Sequence, residues 1–93
     1  MSPNGSRLLT ATLQEKGVLL SFRLGIADGI TLLCRRTSEA DFLTVAEDDD
    51  GPVVDARPKL QPDQPEIRVY LAILHYDDGE TLRLTNEVRV TLP

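Results

Sequence analysis

Apolar and polar residues alternate through much of the chain, most cleanly at its end. There Val88, Val90 and Leu92 take one side and Arg89 and Thr91 the other. A strand sends successive side chains to opposite faces, so a period of two predicts β-structure. The same reading predicts short strands over Leu8–Leu13 and Val53–Ala56. Val18–Leu24 forms a further strand, with Val18, Leu20, Phe22 and Leu24 on one face, and Ile30–Arg36 another, with Ile30, Leu32 and Cys34 together. Turn signals separate them: Gln14-Glu15-Lys16 before Gly17, Asp28-Gly29, and the acidic stretch Glu47-Asp-Asp-Asp-Gly-Pro52.

The longest run, Glu66–Tyr76, leads into Asp77-Asp78-Gly79 and a return strand. Asp-Gly accepts the positive φ of a tight hairpin turn, so this is a hairpin pattern. Thr37–Glu47 has two readings. Ser38-Glu-Ala-Asp41 resembles a capping box, with Ala40, Leu43 and Ala46 as a helical stripe. The alternative is a strand over Phe42–Ala46, favoured by its β-forming Phe, Thr and Val. Pro58, Pro62 and Pro65 hold Arg57–Pro65 as an extended crossing, because proline gives no donor to a ladder.

These elements, with no long helix and no βαβ spacing, predict an all-β chain: a seven-strand, two-sheet antiparallel β-sandwich. Residues 1–6 read as a flexible lead-in and 7–93 as one domain cut from a longer chain. The expected core is Val18, Leu20, Phe22, Ile30, Leu32, Cys34, Tyr70, Ala72, Val88 and Val90, with Phe22 as its central aromatic. Phe22, Phe42, Tyr70 and Tyr76 are the four aromatics, so Leu, Val and Ile supply most of the packing.

Charge narrows the partners. A net −5 speaks against nucleic acid and anionic membrane surfaces, which attract basic faces. No apolar run approaches the ~20 residues of a spanning helix, so no membrane insertion is expected. The N-terminus lacks the basic-then-apolar pattern of a signal peptide. Cys34 stands alone, excludes an intrachain disulfide, and reads as a small buried hydrophobe.

Little chemistry is suggested. His75, the sole histidine, sits at a strand end with no spaced nucleophile and carboxylate around it, and reads as exposed. Asp48, Asp49 and Asp50, with Asp55 nearby, offer oxygens for calcium, but the closing Glu of a calcium loop is absent, so a solvated turn is the simpler reading. Asp77, Asp78 and Glu80 read as turn residues. No catalytic residue, cofactor site or metal site is assigned.

One strand exceeds what a lone sandwich needs. Ile67, Val69, Leu71 and Ile73 share one face, while Tyr70, Ala72, Leu74 and Tyr76 share the other. A sandwich strand buries one face and wets the other. Two apolar faces leave two readings of the outer one: it is covered by long side chains or loops of the same domain, or it meets another domain or subunit.

The chain resembles a fibronectin type III domain over Leu8–Leu92. Val18-Leu-Leu-Ser-Phe22 is similar to that family's second strand, Ile30-Thr-Leu-Leu-Cys-Arg-Arg36 to its third, and Leu60-Gln-Pro62 to the crossing before its sixth. Tyr70-Leu-Ala-Ile73 resembles the sixth strand and Asn86-Glu-Val-Arg-Val-Thr91 the seventh. Phe22 stands where the family has Trp, and Arg68 falls where its corner tyrosine belongs, with Tyr70 two positions on. The resemblance implies an immunoglobulin-like, seven-strand fold, in which Tyr70 and Ala72 point inward while Ile67, Val69, Leu71 and Ile73 lie outward beside Leu33, as the expected interaction face. It also implies a non-catalytic module of a larger protein, acting as spacer, scaffold or protein-binding domain. Its partners would be neighbouring domains, another protein or a second copy of the chain. The alternative is an accessory domain of a secreted carbohydrate-acting enzyme.

Overall fold

The computed structural model describes residues 8–24, 27–48, 51–76 and 82–93. They form eight strands: β1 (Leu9–Gln14), β2 (Gly17–Phe22), β3 (Gly29–Arg36), β4 (Leu43–Asp48), β5 (Val53–Asp55), β6 (Glu66–His75), β7 (Leu82–Leu84) and β8 (Val88–Leu92). No described residue is helical. One antiparallel sheet has the order β1-β2-β5, and the other runs β4-β3-β6 with β7 and β8 both on the free side of β6. The lead-in (residues 1–6), the Asp77–Glu80 turn and Asp49–Asp50 lie outside the described residues.

The core follows the alternation. In β2 the even-numbered Val18 and Leu20 are buried, and across the sandwich they meet Ile30, Leu32 and Cys34 of β3 with their register partners Leu74, Ala72 and Tyr70 of β6. Leu9 and Ala27 complete this buried set. Phe22, Val88 and Val90 are only half-buried at its margin, which corrects the expected core. The central aromatic is Tyr70, fully buried. Phe22 closes β2 and lies against Gly51, where an added Cβ would come within 2.6 Å of the ring.

Three features depart from simple alternation. The segment Leu43–Asp48 is a strand, with Val45 bulged out between the pairs Leu32↔Ala46 and Leu33↔Thr44. The bulge lets adjacent residues Val45 and Ala46 both pack against the core. β2 ends at Phe22 rather than Leu24.

The return strand is broken. β7 pairs with Ile73–His75 and β8 with Glu66–Tyr70, so one expected strand becomes two. At the break Thr85 exchanges hydrogen bonds with Ala72: its amide donates to the Ala72 carbonyl at 2.9 Å, and its hydroxyl accepts from the Ala72 amide at 3.0 Å. This frees Asn86 to cross to the other sheet. Its Oδ1 accepts from the Leu8 and Leu9 amides at 3.0 and 3.1 Å, and its Nδ2 donates to the Leu9 carbonyl at 2.9 Å. A side-chain amide thus stands in for a strand neighbour and fastens β1 across the sandwich.

Candidate functional site

Two places gather the groups that could act: a polar cluster between the sheets, and the outer face of the larger sheet.

The cluster grows from β5 and the first half of β6. Asp55 is the last residue of β5 and registers with Val18 in β2. Gly17, at φ +147°, allows this approach, since a Cβ there would press on the Asp55 carbonyl oxygen and sit 2.9 Å from Ala56 Cα. In β6 the inward stripe continues from Tyr70 back to Arg68 and Glu66, so two charged side chains enter the sandwich where alternation calls for apolar ones.

They are fully engaged. Arg68 is 0% exposed; its Nε donates to Glu66 Oε2 at 2.7 Å, its Nη1 to Asp55 Oδ2 at 3.3 Å, and its Nη2 to the Arg57 carbonyl at 2.8 Å. Arg57 grips Asp55 bidentately, with Nε and Nη2 each 2.8 Å from a carboxylate oxygen. The Tyr70 hydroxyl donates to Asp55 Oδ2 at 2.7 Å. Glu66 Oε1 accepts from the Leu60 amide at 2.9 Å, tying the proline-rich crossing to the cluster.

The electrostatics match. Burial pushes the Asp55 carboxyl up, but the hydrogen bonds from Arg57 and Tyr70 and the Arg57 charge outweigh it and hold it at about 2. Burial also opposes ionisation of Glu66, yet the Leu60 amide and Arg68 bring its carboxyl below the usual range. Burial drives the Tyr70 hydroxyl up and the Cys34 thiol up as well. A nucleophile or general base needs a free lone pair aimed at open space. Here the oxygens of Asp55 and Glu66 point into neighbours, and the cluster works as a lock between sheets. Asp55, considered above as a calcium ligand, is spent in this lock. Among the described residues no three His, Cys, Asp or Glu side chains gather for a metal.

No sequence rule used above flagged Arg68 as buried. The signal was the alternation itself, which assigns Arg68 and Glu66 to the same face as Tyr70.

On the outer face the expected register holds, with Tyr70 and Ala72 inward. The candidate residues differ in what they show. Ile67 is exposed; Leu71, Ile73 and Leu33 are half-buried; Val69 is 7% exposed and so is not open surface. Val69 pairs with Arg35 on one side and Arg89 on the other, and arginine stems cover apolar neighbours while their heads stay wet. Leu84, paired with Ile73, adds the most exposed large hydrophobic among the described residues, at 65%. It was not singled out, because strand pairing alone places it there.

His75 corrects its expectation. It is half-buried, and its Nε2 lies 2.7 Å from the Thr31 hydroxyl on this same face. The turn residue Asp77 is outside the described residues, as are the side chains of Asp48, Asp49 and Asp50. No family model matches the chain, and no curated protein or solved structure matches it significantly.

Proposed function

We propose that this chain is a non-catalytic, fibronectin type III-like module strung in line within a larger protein, acting as spacer, scaffold or protein-docking domain. The observation that carries the reading is where the chain enters and leaves. β1 opens at Leu9 beside Phe22, and β8 closes at Leu92 beside Glu66. These are opposite ends of the sandwich, since Phe22 lies by Gly51 while Glu66 joins the Asp55 cluster at the far end of β5. Neighbours attached at the two ends would be held apart by the length of the strands.

Further support comes from the architecture, an antiparallel sheet of three strands facing one of five in which β7 and β8 together take the place of the single expected return strand. Tyr70 anchored on Asp55, with Arg68 beside it, fills the role of the family's corner tyrosine by different bonds. A carbohydrate-accessory role asks for exposed aromatic rings. Tyr70 is buried, and Phe22, Phe42 and Tyr76 are half-buried.

The test is to place the chain between two unrelated reporter domains at low micromolar concentration. The module reading expects a melting transition matching that of the isolated chain. It also expects reporters separated by roughly 35 Å or more, the length of a ten-residue strand at ~3.4 Å per residue. Reporters that lie side by side, or loss of the separate transition, would refute it.

A further inference from the structure

The outer face of the larger sheet is patterned along the strands. At one level lie Arg35, Val69 and Arg89, in register. Next come Thr44, Leu33 and Leu71. At the third level lie Glu47, Thr31, Ile73 and Leu84. The face is basic at one end, apolar in the middle, and carries an acid at the other. Arg35 is held in place with its guanidinium carbon 5.6 Å from the Phe42 ring centroid.

We infer that this face pairs with a second copy of itself. The inference rests on the module reading above and names the partner of its docking face. A two-fold axis lying in the interface, across the strands at the level of Leu71, reverses the order of the three levels. Leu71 and Leu33 then meet their own counterparts. Leu84 of one copy lies on the aliphatic stem of Arg89 of the other. Arg35 comes one strand spacing from Glu47, within reach of both long side chains across the ~10 Å between packed sheets. The match occurs twice, as an isologous contact requires. Among the described residues a single copy has no acid for Arg35 on this face at its own level, so the pattern is self-complementary.

Area sets the strength. Four strands at ~4.8 Å spacing and a nine-residue length at ~3.4 Å give roughly 500–600 Å² per copy. Both copies together bury roughly 1,000–1,200 Å², the low end of specific interfaces, so the dimer is weak and reversible.

The test is sedimentation equilibrium of the whole chain from about 10 µM to 1 mM, repeated at high salt. A monomer–dimer equilibrium that weakens with salt is expected, because two of its contacts are screened ion pairs. Leu84→Asp and Glu47→Arg alter exposed side chains and leave the melting curve in place, yet each weakens association at least about tenfold. Arg35→Glu, at a half-buried side chain, weakens association likewise. Mixing the Glu47→Arg chain with the Arg35→Glu chain restores both ion pairs and brings pairing back to within about threefold of the unaltered protein. If Arg35→Glu fails to fold, Leu84→Asp and Glu47→Arg still decide the matter. A chain that stays monomeric at 1 mM would overturn the inference, as would a dimer indifferent to Leu84→Asp. Mixed variants that fold but do not pair would overturn the two-fold arrangement. The reporter experiment runs below the association range, so either reading can fail alone.

Discussion

Replacing Asp55 by Asn tests the inter-sheet lock with almost no change in volume. The carboxylate accepts twice from the Arg57 side chain and once from its amide, and once each from Tyr70 and Arg68. An amide keeps an acceptor oxygen but removes the charge, and its NH₂ faces donors. Arg68, 0% exposed along its side chain, is left with Glu66 as its one close counter-charge among the described residues. Breaking a buried pair by altering one partner costs about 3–5 kcal/mol, and the surviving amide bond brings the expected loss to about 2–4 kcal/mol. A chain of this length holds roughly 5–14 kcal/mol in total, so the variant folds but melts about 10–25 °C lower. The pH dependence gives an independent measure. The folded carboxyl stands at about 2 against an ordinary 3.8, which corresponds to roughly 2–3 kcal/mol at ~1.4 kcal/mol per pH unit. Because the folded value is the lower one, this stability is fully present above the unfolded value. It is lost as pH falls from about 5 to about 2. Glu66, also depressed, adds a limb of the same sign. Urea unfolding of both proteins at pH 7, 4 and 2.5 should show the Asn variant with a smaller acid loss. A difference below about 1 kcal/mol at pH 7, or parallel acid limbs, would refute the lock.

Asn86→Ala leaves the amides of Leu8 and Leu9 and the Leu9 carbonyl without their cross-sheet partner. It should cost about 1–3 kcal/mol and speed hydrogen exchange in β1 before β6; uniform acceleration would mean Asn86 does not act locally. Phe22→Ala should cost about 1–3 kcal/mol, less than the 3–5 of a fully buried ring, because Phe22 is half-buried; a larger loss in chemical denaturation would restore it as the central aromatic. Val69→Glu should destabilise by about 2–4 kcal/mol, since its site is closed by its neighbours, while Ile67→Glu, on an exposed site, should shift the melting temperature little. Equal effects at the two positions would contradict the covering of Val69.

Strand patterning was legible in the sequence because alternation is a local property of the backbone. It placed β2, β3, β6 and β8 and sorted Tyr70 and Ala72 onto one face of β6, while the resemblance supplied the expectation that this face points inward. It also put Arg68 and Glu66 on that face, though nothing local said that a charge could live inside. That depended on Asp55 and Arg57 arriving from the opposite sheet, over ten residues away in the chain. A buried ion is tolerated only where such partners converge, and convergence is a tertiary fact. The interruption of the return strand followed the same rule, since Asn86 leaves the ladder only because β1 lies across from it. The outer face was half legible. Its apolar stripe can be read from β6 alone, whereas the arginines over Val69, the addition of Leu84 and the position of Glu47 are set by the register of β3, β4, β7 and β8 against β6. Period-two alternation tells each residue which way to face. Only the pairing of strands tells it whom it will face.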